Sequence, residues 1–323
     1  MKNTRFNLRP RDIGEALALA LLLEASGTPK PGNVHKLRDR PDLKYEAFLA
    51  TGVLATKYFE RGVKRGIKPP SRLLIGDLVY GLIKDVVDKA RSTNTCLGSS
   101  LLLSIISVAT GRLLTQRQLS LSELGESAIM VVKSTTVYDA IYYYKAIRKA
   151  SPSYLKPTDF TGDYVNVWDR AYRKKLMSKG HNLYDVLKYA STFDVVSDEA
   201  ISGLRRGFEA VKFLQGRLEV HRDLNRGIVE TYLYLLSRNL DTIVLLKHGV
   251  KVAKRLMDRA KAVLNEVLQS EDKWMKLVLD LDVELYNNGI NPGSIADLVA
   301  ETIGLYLLQN LLEHGALFTG TYY

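Results

Sequence analysis

Apolar and polar residues follow the period of an amphipathic α-helix along most of this chain. In segments such as "YEAFLATGVLATKYFERGV" and "GIVETYLYLLSR", apolar positions recur every three or four residues, which places them on one helix face. Capping residues precede many such segments, and glycine closes several, for example Gly27, Gly249 and Gly315. Strand-like alternation is almost absent. The pattern predicts an all-α fold, with one compact domain of about ten to twelve helices over residues 1–323.

The stretch from Ser151 to His181 interrupts this periodicity. It contains prolines, the basic run "RKK" and five aromatic residues, namely Tyr154, Phe160, Tyr164, Trp168 and Tyr172. Aromatic side chains carry apolar area that folding can bury, so a low-complexity linker is excluded here. We predict an ordered but irregular excursion near 151–181 that covers part of the functional site.

Composition restricts the class of protein further. A hydrophobic content of 46% is ordinary for a globular domain, and the single cysteine, Cys96, cannot form an intramolecular disulfide. Acidic residues at the start of the first apolar run, Asp12 and Glu15, argue against an exported protein. No apolar run reaches the roughly 18 uncharged residues of a membrane span. We therefore predict a cytoplasmic protein without membrane association.

The net charge of +11 is concentrated in the first half of the chain, where residues 1–150 carry 24 Lys and Arg against 13 Asp and Glu. Such an excess indicates an anionic partner, which could be a nucleic acid, a polyphosphate nucleotide or a coenzyme. The basic residues are dispersed, and no nucleic-acid-binding fingerprint is present. A nucleotide or coenzyme is therefore favoured over a nucleic acid.

The first helical segment ends at "TPKPGNVH", residues 28–35, where two prolines and a glycine impose an ordered turn. Glu24 lies just before this turn, on the same helix face as Leu17, Ala20 and Leu21. A carboxylate that points toward the core in the last turn of a helix departs from two local rules, which indicates function. The alternative is a structural ion pair with a neighbouring Lys or Arg.

Four other junctions place small, hydroxyl or acidic residues at the start of a helix. "STNTCLGSSLLL" offers free N–H groups for an anion, although capping would also explain it. Thr136-x-x-Asp139 and Ser294-x-x-Asp297 both match an acidic capping box, and Asp241 precedes a helix that ends at Lys247 and His248. Their recurrence predicts helix starts that converge on one cleft, where carboxylates could hold Mg²⁺ beside a polyphosphate.

Several other chemistries are excluded because their motifs are absent. The chain has no P-loop, dinucleotide fingerprint, nucleophile elbow or H-E-x-x-H sequence, and its five histidines are scattered. A zinc site is therefore not expected.

In this order, "EASGTPKPGNVH", "NTCLGSSLLL", "YDAIYYYKAIRKASP", "DTIVLLKHG" and "NPGSIADLVAETI" resemble the triphosphoribosyl-dephospho-CoA synthase family, and its archaeal branch most. The resemblance runs from about residue 12 to about residue 312. It implies an all-α enzyme that transfers the triphosphoribosyl group of ATP to the 2′-hydroxyl of 3′-dephospho-CoA and releases adenine. Mg²⁺, a clamp for the triphosphate and a general base would serve this reaction.

The resemblance also implies roles for individual residues. Phosphates would be held by Lys30, Gly32 and Asn33, with a second cradle at Asn94, Thr95 and Gly98. Glu24, Asp139 and Asp297 are the candidates for Mg²⁺ ligand or catalytic base. Asp241, Lys247 and Ser294 follow as further binding residues, and His35 is a candidate donor to the leaving group.

The chain departs from the family's bacterial pattern in features that concern the acceptor. Bacterial members carry a histidine where "TTVYDA" aligns, often have leucine at the position of Asn33, and have a shorter, less aromatic region after residue 150. A different acceptor, such as a coenzyme or pterin precursor, therefore stays open. So do an ATP-hydrolysing enzyme on the same scaffold and a nonenzymatic basic helical protein that binds nucleic acid. A homodimer is compatible with the helical surface, although no heptad seam predicts one.

Overall fold

The periodic segments form helices in the computed structural model, which describes residues 8–68, 72–115, 121–156 and 164–319. These ranges contain fifteen α-helices and no strand, so the fold class is confirmed and the predicted number of helices was too low. In chain order the helices are α1 (Pro10–Ser26), α2 (Tyr45–Ile67), α3 (Gly76–Lys89), α4 (Leu97–Leu114), α5 (Leu121–Lys133), α6 (Val137–Ala150), α7 (Tyr172–Lys179), α8 (Leu183–Ala190), α9 (Val195–Ile201), α10 (Arg205–His221), α11 (Leu224–Leu236), α12 (Thr242–His248), α13 (Val250–Gln269), α14 (Trp274–Asn287) and α15 (Gly293–His314).

Helix length explains part of the difference in number. Helices α7, α8 and α9 have only 8, 8 and 7 residues. About two turns present too few apolar positions for a period of 3.6 residues to be recognised. The predicted glycine stops at Gly27, Gly249 and Gly315 are confirmed as the residues that end α1, α12 and α15.

The two most apolar helices, α4 and α15, lie at the centre of the hydrophobic core. Each is long and apolar enough to cross a membrane by length and composition, which qualifies the expectation that no such run exists. In both helices 83% of the apolar window is buried inside the protein. A helix that is apolar on all sides is also what a buried core helix requires.

The core brings the ends of four helices together. Helices α1, α4 and α12 all contact α15. Consequently the last turn of α1 and the first turns of α4, α12 and α15 border one cleft. This placement turns four distant sequence segments into neighbours.

The excursion near 151–181 is ordered where the structure describes it. Residues 151–156 and 164–171 form turns without regular secondary structure, and α7 follows. Tyr144 donates a hydrogen bond to the Val165 carbonyl at 2.6 Å, and Arg148 donates one to the Val167 carbonyl at 2.8 Å. The excursion is therefore fixed to α6. Residues 157–163, which include Phe160, lie outside the described ranges.

A buried carboxyl pair crosses the core between α9 and α15. Glu301 and Glu199 are both fully buried, and Arg206 forms an ion pair with Glu199 at 3.0 Å. Burial, followed by repulsion from Glu199, raises the pKa of Glu301 well above its usual value, although Arg206 opposes the shift. Burial therefore favours the neutral form of Glu301 in the folded protein.

We expect Glu301→Gln to remove a loss of stability that the wild type shows as the pH rises. The folded-state pKa lies above the unfolded value of 4.5, so the neutral carboxyl contributes its full stability below that pH and loses it as the pH rises through the folded-state pKa. The free energy of unfolding of the variant should exceed that of the wild type by about 1–3 kcal/mol at pH 8. Urea denaturation between pH 5 and pH 8 measures this difference.

The control is Glu313→Gln, which changes a half-exposed carboxylate on the same helix. It should leave the pH dependence of stability as it is in the wild type. Parallel curves for the wild type and Glu301→Gln would contradict the assignment of a buried neutral carboxyl.

Candidate active site

The turn that follows α1 is clamped to the far end of the chain. The backbone N–H of Gly32 donates to Asp282 on α14 at 2.9 Å, and Arg40 donates to the carbonyl oxygens of Gly32 at 2.7 Å and Ile290 at 3.2 Å. Gly32 has a φ of +72°, a conformation that side chains disfavour. Its N–H group is therefore occupied by a carboxylate rather than available to a phosphate.

His35 belongs to the same anchor. Its Nε2 lies 3.3 Å from Asp282, whose carboxylate also accepts from Arg38 at 2.9 Å. Both His35 and Asp282 are almost completely buried, and neither lines the cleft. The geometry therefore favours the role of structural hydrogen bonder for His35 over that of donor to a leaving group.

We expect Gly32→Ala to destabilise the protein by about 2–3 kcal/mol. A Cβ at this position would lie 2.7 Å from the Ile290 carbonyl oxygen and 2.9 Å from Cβ of Leu285, in addition to the strain of the positive φ. Thermal or urea denaturation measures the loss.

Gly289→Ala is the matched control, since Gly289 has a φ of +68° but no heavy atom within 4 Å of the place where a Cβ would lie. This variant should lose only the backbone term, about 1 kcal/mol. Equal losses in the two variants would show that the clamp around Gly32 does not resist a side chain.

Glu24 and Lys30 form a buried ion pair across the turn. Lys30 Nζ donates to the Glu24 carbonyl oxygen at 2.8 Å and makes a short contact with its carboxylate. Lys30 is completely buried and Glu24 is 5% exposed. Burial raises the pKa of Glu24 and lowers that of Lys30, and the attraction between the two charges opposes both shifts. The structural ion pair is thus present, yet Glu24 also lines the cleft.

The first turn of α4 is capped by two side chains. Asn94 Oδ1 accepts from the Leu97 N–H at 2.9 Å, and Asp297 on α15 accepts from the Ser99 N–H at 2.7 Å. A Cβ at Gly98 would lie 2.2 Å from Asp297 Oδ2, so only glycine admits this carboxylate. The hydroxyl of Thr95 hydrogen-bonds Thr51 at 2.7 Å. The predicted second cradle is therefore partly occupied by a carboxylate from another helix.

Asp297 is a buried carboxyl of the cleft whose pKa is strongly raised. Burial raises its pKa to about 8, with the charges of Glu24 and Asp194 acting in the same direction and the Ser99 N–H opposing them. It does not cap its own helix, because α15 has no side-chain capping bond and begins after Pro292. The capping-box interpretation of Ser294 and Asp297 was therefore wrong.

Asp241 joins α12 to α15. One carboxylate oxygen accepts from the Val244 N–H and the other from the Ile295 N–H, both at 2.9 Å. Burial raises the pKa of Asp241 to about 7 against these backbone bonds. Asp241 thus holds the start of α15 beside the cleft, and Ser294 is buried there. Lys247 extends from the end of α12 into the cleft lining.

The cleft collects six of the predicted site residues. Its lining includes Glu24, Asn33, Asn94, Thr95, Lys247 and Asp297. Lys30 and Gly98 contact two of these side chains directly, while Asp241 and Ser294 support the start of α15. Gly32, His35 and Asp139 do not line it.

Asp139 performs a different task. One of its oxygens accepts from the N–H groups of Leu74, Ile75 and Gly76, each at 2.9 Å, and the other from Thr136 at 3.0 Å. The capping box that its spacing indicated is confirmed. Since its oxygens are committed to backbone donors at the starts of α3 and α6, we leave Asp139 out of the proposed metal and base set.

Sequence reasoning missed several residues of the cleft. Asn291 hydrogen-bonds Asn33 at 3.1 Å, and its place directly before Pro292 was the signal that could have identified it. Cys96 also lines the cleft, and burial raises the pKa of its thiol to about 12, so the thiol keeps its proton. Tyr154 also lines the cleft, and it belongs to the excursion that the sequence predicted to cover part of the site.

Comparisons with known proteins agree with one another. The model of a family described as ATP:dephospho-CoA triphosphoribosyl transferase matches residues 10–315. The chain is 23% identical over 301 residues to a 2-(5''-triphosphoribosyl)-3'-dephosphocoenzyme-A synthase of Haemophilus ducreyi, covering 90% of this chain and 86% of that protein. A protein of Malonomonas rubra assigned the same name is 24% identical over 312 residues, covering 92% of this chain and 88% of that protein.

A solved structure has the same fold. It comes from Archaeoglobus fulgidus and is assigned as a triphosphoribosyl-dephospho-CoA synthase. It superposes with a TM-score of 0.61 at 24% identity and covers 80% of this chain and 97% of its own.

Proposed function

Because the chain belongs to the ATP:dephospho-CoA triphosphoribosyl transferase family, we propose that it transfers the triphosphoribosyl group of ATP to the 2′-hydroxyl of 3′-dephospho-CoA and releases adenine. The observation that carries the proposal is the convergence of Glu24, Asp297 and Lys247 on one cleft. These residues come from three helices, and together they supply a buried base, a second carboxylate and a cation. Substitution at a ribose carbon needs such groups in fixed positions.

Glu24 is the proposed general base. The reaction forms a bond from the acceptor hydroxyl to C1′ of the ATP ribose and breaks the bond from C1′ to adenine, so the hydroxyl proton must leave. Burial raises the pKa of Glu24, which brings its basicity closer to the working pH. Lys30, fixed on the same side chain, would stabilise the negative charge of Glu24 before the proton arrives.

The cleft residues fit a magnesium ion that arrives with the substrate. Among the described residues, no group of three or more His, Cys, Asp or Glu side chains is placed to hold a metal. Mg²⁺ is commonly bound through one or two carboxylates together with substrate phosphates, and Asp297 and Glu24 both line the cleft. A bound Mg²⁺ would neutralise part of the triphosphate charge. Asp297 would hold it, since a nearby cation favours the deprotonated carboxyl.

Lys247 is the proposed partner of the phosphates. It is exposed at the end of α12 and lines the cleft, so its ammonium group can move to meet a flexible polyphosphate. The positive charge concentrated in residues 1–150 would attract the same anions over a longer range. A cytoplasmic location and a homodimer stay predictions from the sequence.

The test incubates the protein with ATP and Mg²⁺, with and without 3′-dephospho-CoA, and measures adenine release by chromatography with mass detection of the products. We expect adenine and a triphosphoribosyl adduct only when the acceptor is present, and neither when EDTA replaces Mg²⁺. Adenine without an acceptor would instead indicate a nucleosidase. ADP and phosphate would indicate a hydrolase, and ATP binding without any product would indicate a different acceptor.

A further inference from the structure

A second cavity adjoins the cleft, on the side of the aromatic excursion. Leu97, Pro152 and Tyr154 line both spaces, so these side chains stand between them. The second cavity lies among α6, α8, the start of α9 and the excursion, and its wall includes Tyr143, Tyr164 and Tyr189. We refer to it as the aromatic cavity.

The wall of the aromatic cavity is fixed in place. The hydrogen bonds from Tyr144 to Val165 and from Arg148 to Val167 hold the excursion against α6. The ring of Tyr164 stacks on that of Tyr189 on α8, with centroids 4.3 Å apart. A cavity built by packed aromatic and branched side chains is suited to a flat apolar ligand.

One carboxylate gives this cavity its polarity. Asp194 caps α9, and its Oδ2 accepts from the Ser197 N–H at 2.9 Å and from the Ser197 hydroxyl at 2.5 Å. Asp194 lines the cavity, whereas no Lys or Arg is among the described residues that do. Phosphate groups are disfavoured beside an acidic wall without a cation. A neutral group that presents an N–H donor is favoured.

We propose that the aromatic cavity binds the adenine base of a nucleotide whose ribose and phosphates occupy the cleft, with Asp194 accepting from the exocyclic amino group. A purine has the two flat apolar faces and the edge donor that this wall requires. The inference rests on the proposed function, in which ATP and 3′-dephospho-CoA each carry an adenine on a reacting ribose. Either substrate could supply the base, and the experiment separates them.

The experiment measures equilibrium binding by calorimetry, so it needs no turnover. The ligands are ATP, GTP, 3′-dephospho-CoA and 4′-phosphopantetheine, which lacks the base. In Asp194→Asn the single amide oxygen keeps the cap of α9, which leaves an NH₂ group toward the cavity. Because this NH₂ group is a donor, it cannot accept from the adenine amino group, but it can donate to the guanine carbonyl oxygen. If the base comes from ATP, the ratio of ATP to GTP affinity should fall about 10- to 100-fold.

Ala190→Phe tests the cavity without a change of charge. Ala190 lines the aromatic cavity at the end of α8, and a phenyl ring there would fill the space of a base. We expect at least about a tenfold loss of affinity for the nucleotide that uses the cavity. Asp223→Asn is the matched control, because Asp223 caps α11 in the same way but lines neither cavity. It should change no affinity.

The outcomes separate the sources and the hypotheses. A lower ATP to GTP ratio in Asp194→Asn assigns the cavity to the ATP base, and a loss confined to 3′-dephospho-CoA in both variants, with 4′-phosphopantetheine unaffected, assigns it to the acceptor base. Unchanged nucleotide affinities in both variants would overturn the inference and leave the proposed function intact. Weaker 4′-phosphopantetheine binding in Ala190→Phe would also overturn it, in favour of the pantetheine arm. Altered nucleotide selectivity without any adenine release would uphold the inference and reject the proposed function.

Discussion

Lys30→Met should destabilise the protein by about 3–5 kcal/mol and abolish adenine release. The substitution removes the only ammonium group bonded to the Glu24 carboxylate in the part of the chain that the structure describes, and it leaves that carboxylate buried. Leaving one charge buried without its partner destabilises a protein strongly, even though an intact buried ion pair adds little stability compared with two apolar residues in the same place. Urea denaturation measures the first effect, and chromatography of the adenine product measures the second.

A double-mutant cycle shows whether the two losses share a cause. Glu24→Gln alone leaves the Lys30 ammonium buried, so it should also be strongly destabilised. The double variant Glu24→Gln with Lys30→Met buries no charge at this position and should be more stable than either single variant. It should remain inactive, because the proposed base is missing. If Lys30→Met alone fails to fold, the double variant still reports on activity.

The control is an exposed pair on the same helix. Arg11 and Glu15 lie 2.7 Å apart, with side chains 67% and 45% exposed. Arg11→Met should leave the free energy of unfolding close to that of the wild type, since exposed ion pairs are weak. A cost for Lys30→Met as small as this would contradict a buried, energetically coupled pair. Wild-type turnover in the double variant would exclude Glu24 as the base.

The fold was predictable where single helices carry enough residues to show their period. Helix α2 has 23 residues and α13 has 20, and the apolar positions of both segments define one face. The short helices α7, α8 and α9 were not recognised, because their formation depends on packing against neighbours rather than on a repeated local pattern. Fold class was therefore evident, whereas the number of helices was not.

The candidate site was predictable only in part, and two similar motifs explain why. Thr136-x-x-Asp139 and Ser294-x-x-Asp297 have the same spacing, yet Asp139 caps its own helix while Asp297 reaches the start of α4. Local sequence cannot distinguish these outcomes, since the second depends on a partner 198 positions away.

Distant partners also determine which groups of the turn at residues 28–35 are available to bind a ligand. Asp282 takes the Gly32 N–H across 250 positions of sequence, so a group predicted to bind phosphate is occupied by a carboxylate. Nothing near Asp282 in the sequence indicated this role. The recurrence of loop-to-helix junctions nevertheless predicted a shared cleft, and the structure places Glu24, Lys247 and Asp297 in the lining of one cleft.

Asp297→Asn should lower turnover at least about 10²- to 10³-fold while making the metal-free protein more stable at alkaline pH. The asparagine oxygen can still accept from the Ser99 N–H, so the junction between α15 and α4 is kept. The negative charge proposed to hold Mg²⁺ is lost. Turnover with saturating ATP and Mg²⁺ tests the first effect.

The gain in stability follows from the sign of the pKa shift at Asp297. Its pKa is raised from 3.8 to about 8, so the neutral carboxyl stabilises the fold fully below pH 3.8 and this contribution is lost as the pH rises through about 8. In urea denaturation with EDTA, the free energy of unfolding of the variant should therefore be about 2–4 kcal/mol higher than that of the wild type at pH 9. At pH 5 it should be equal to that of the wild type or lower. Asp280→Asn, at an exposed position of α14, is the control and should follow the wild type at both values. If Asp297 served only to stabilise the fold, its replacement should lower stability along with turnover. A variant that is more stable than the wild type at pH 9 but inactive would therefore identify Asp297 as a carboxyl retained for its chemistry.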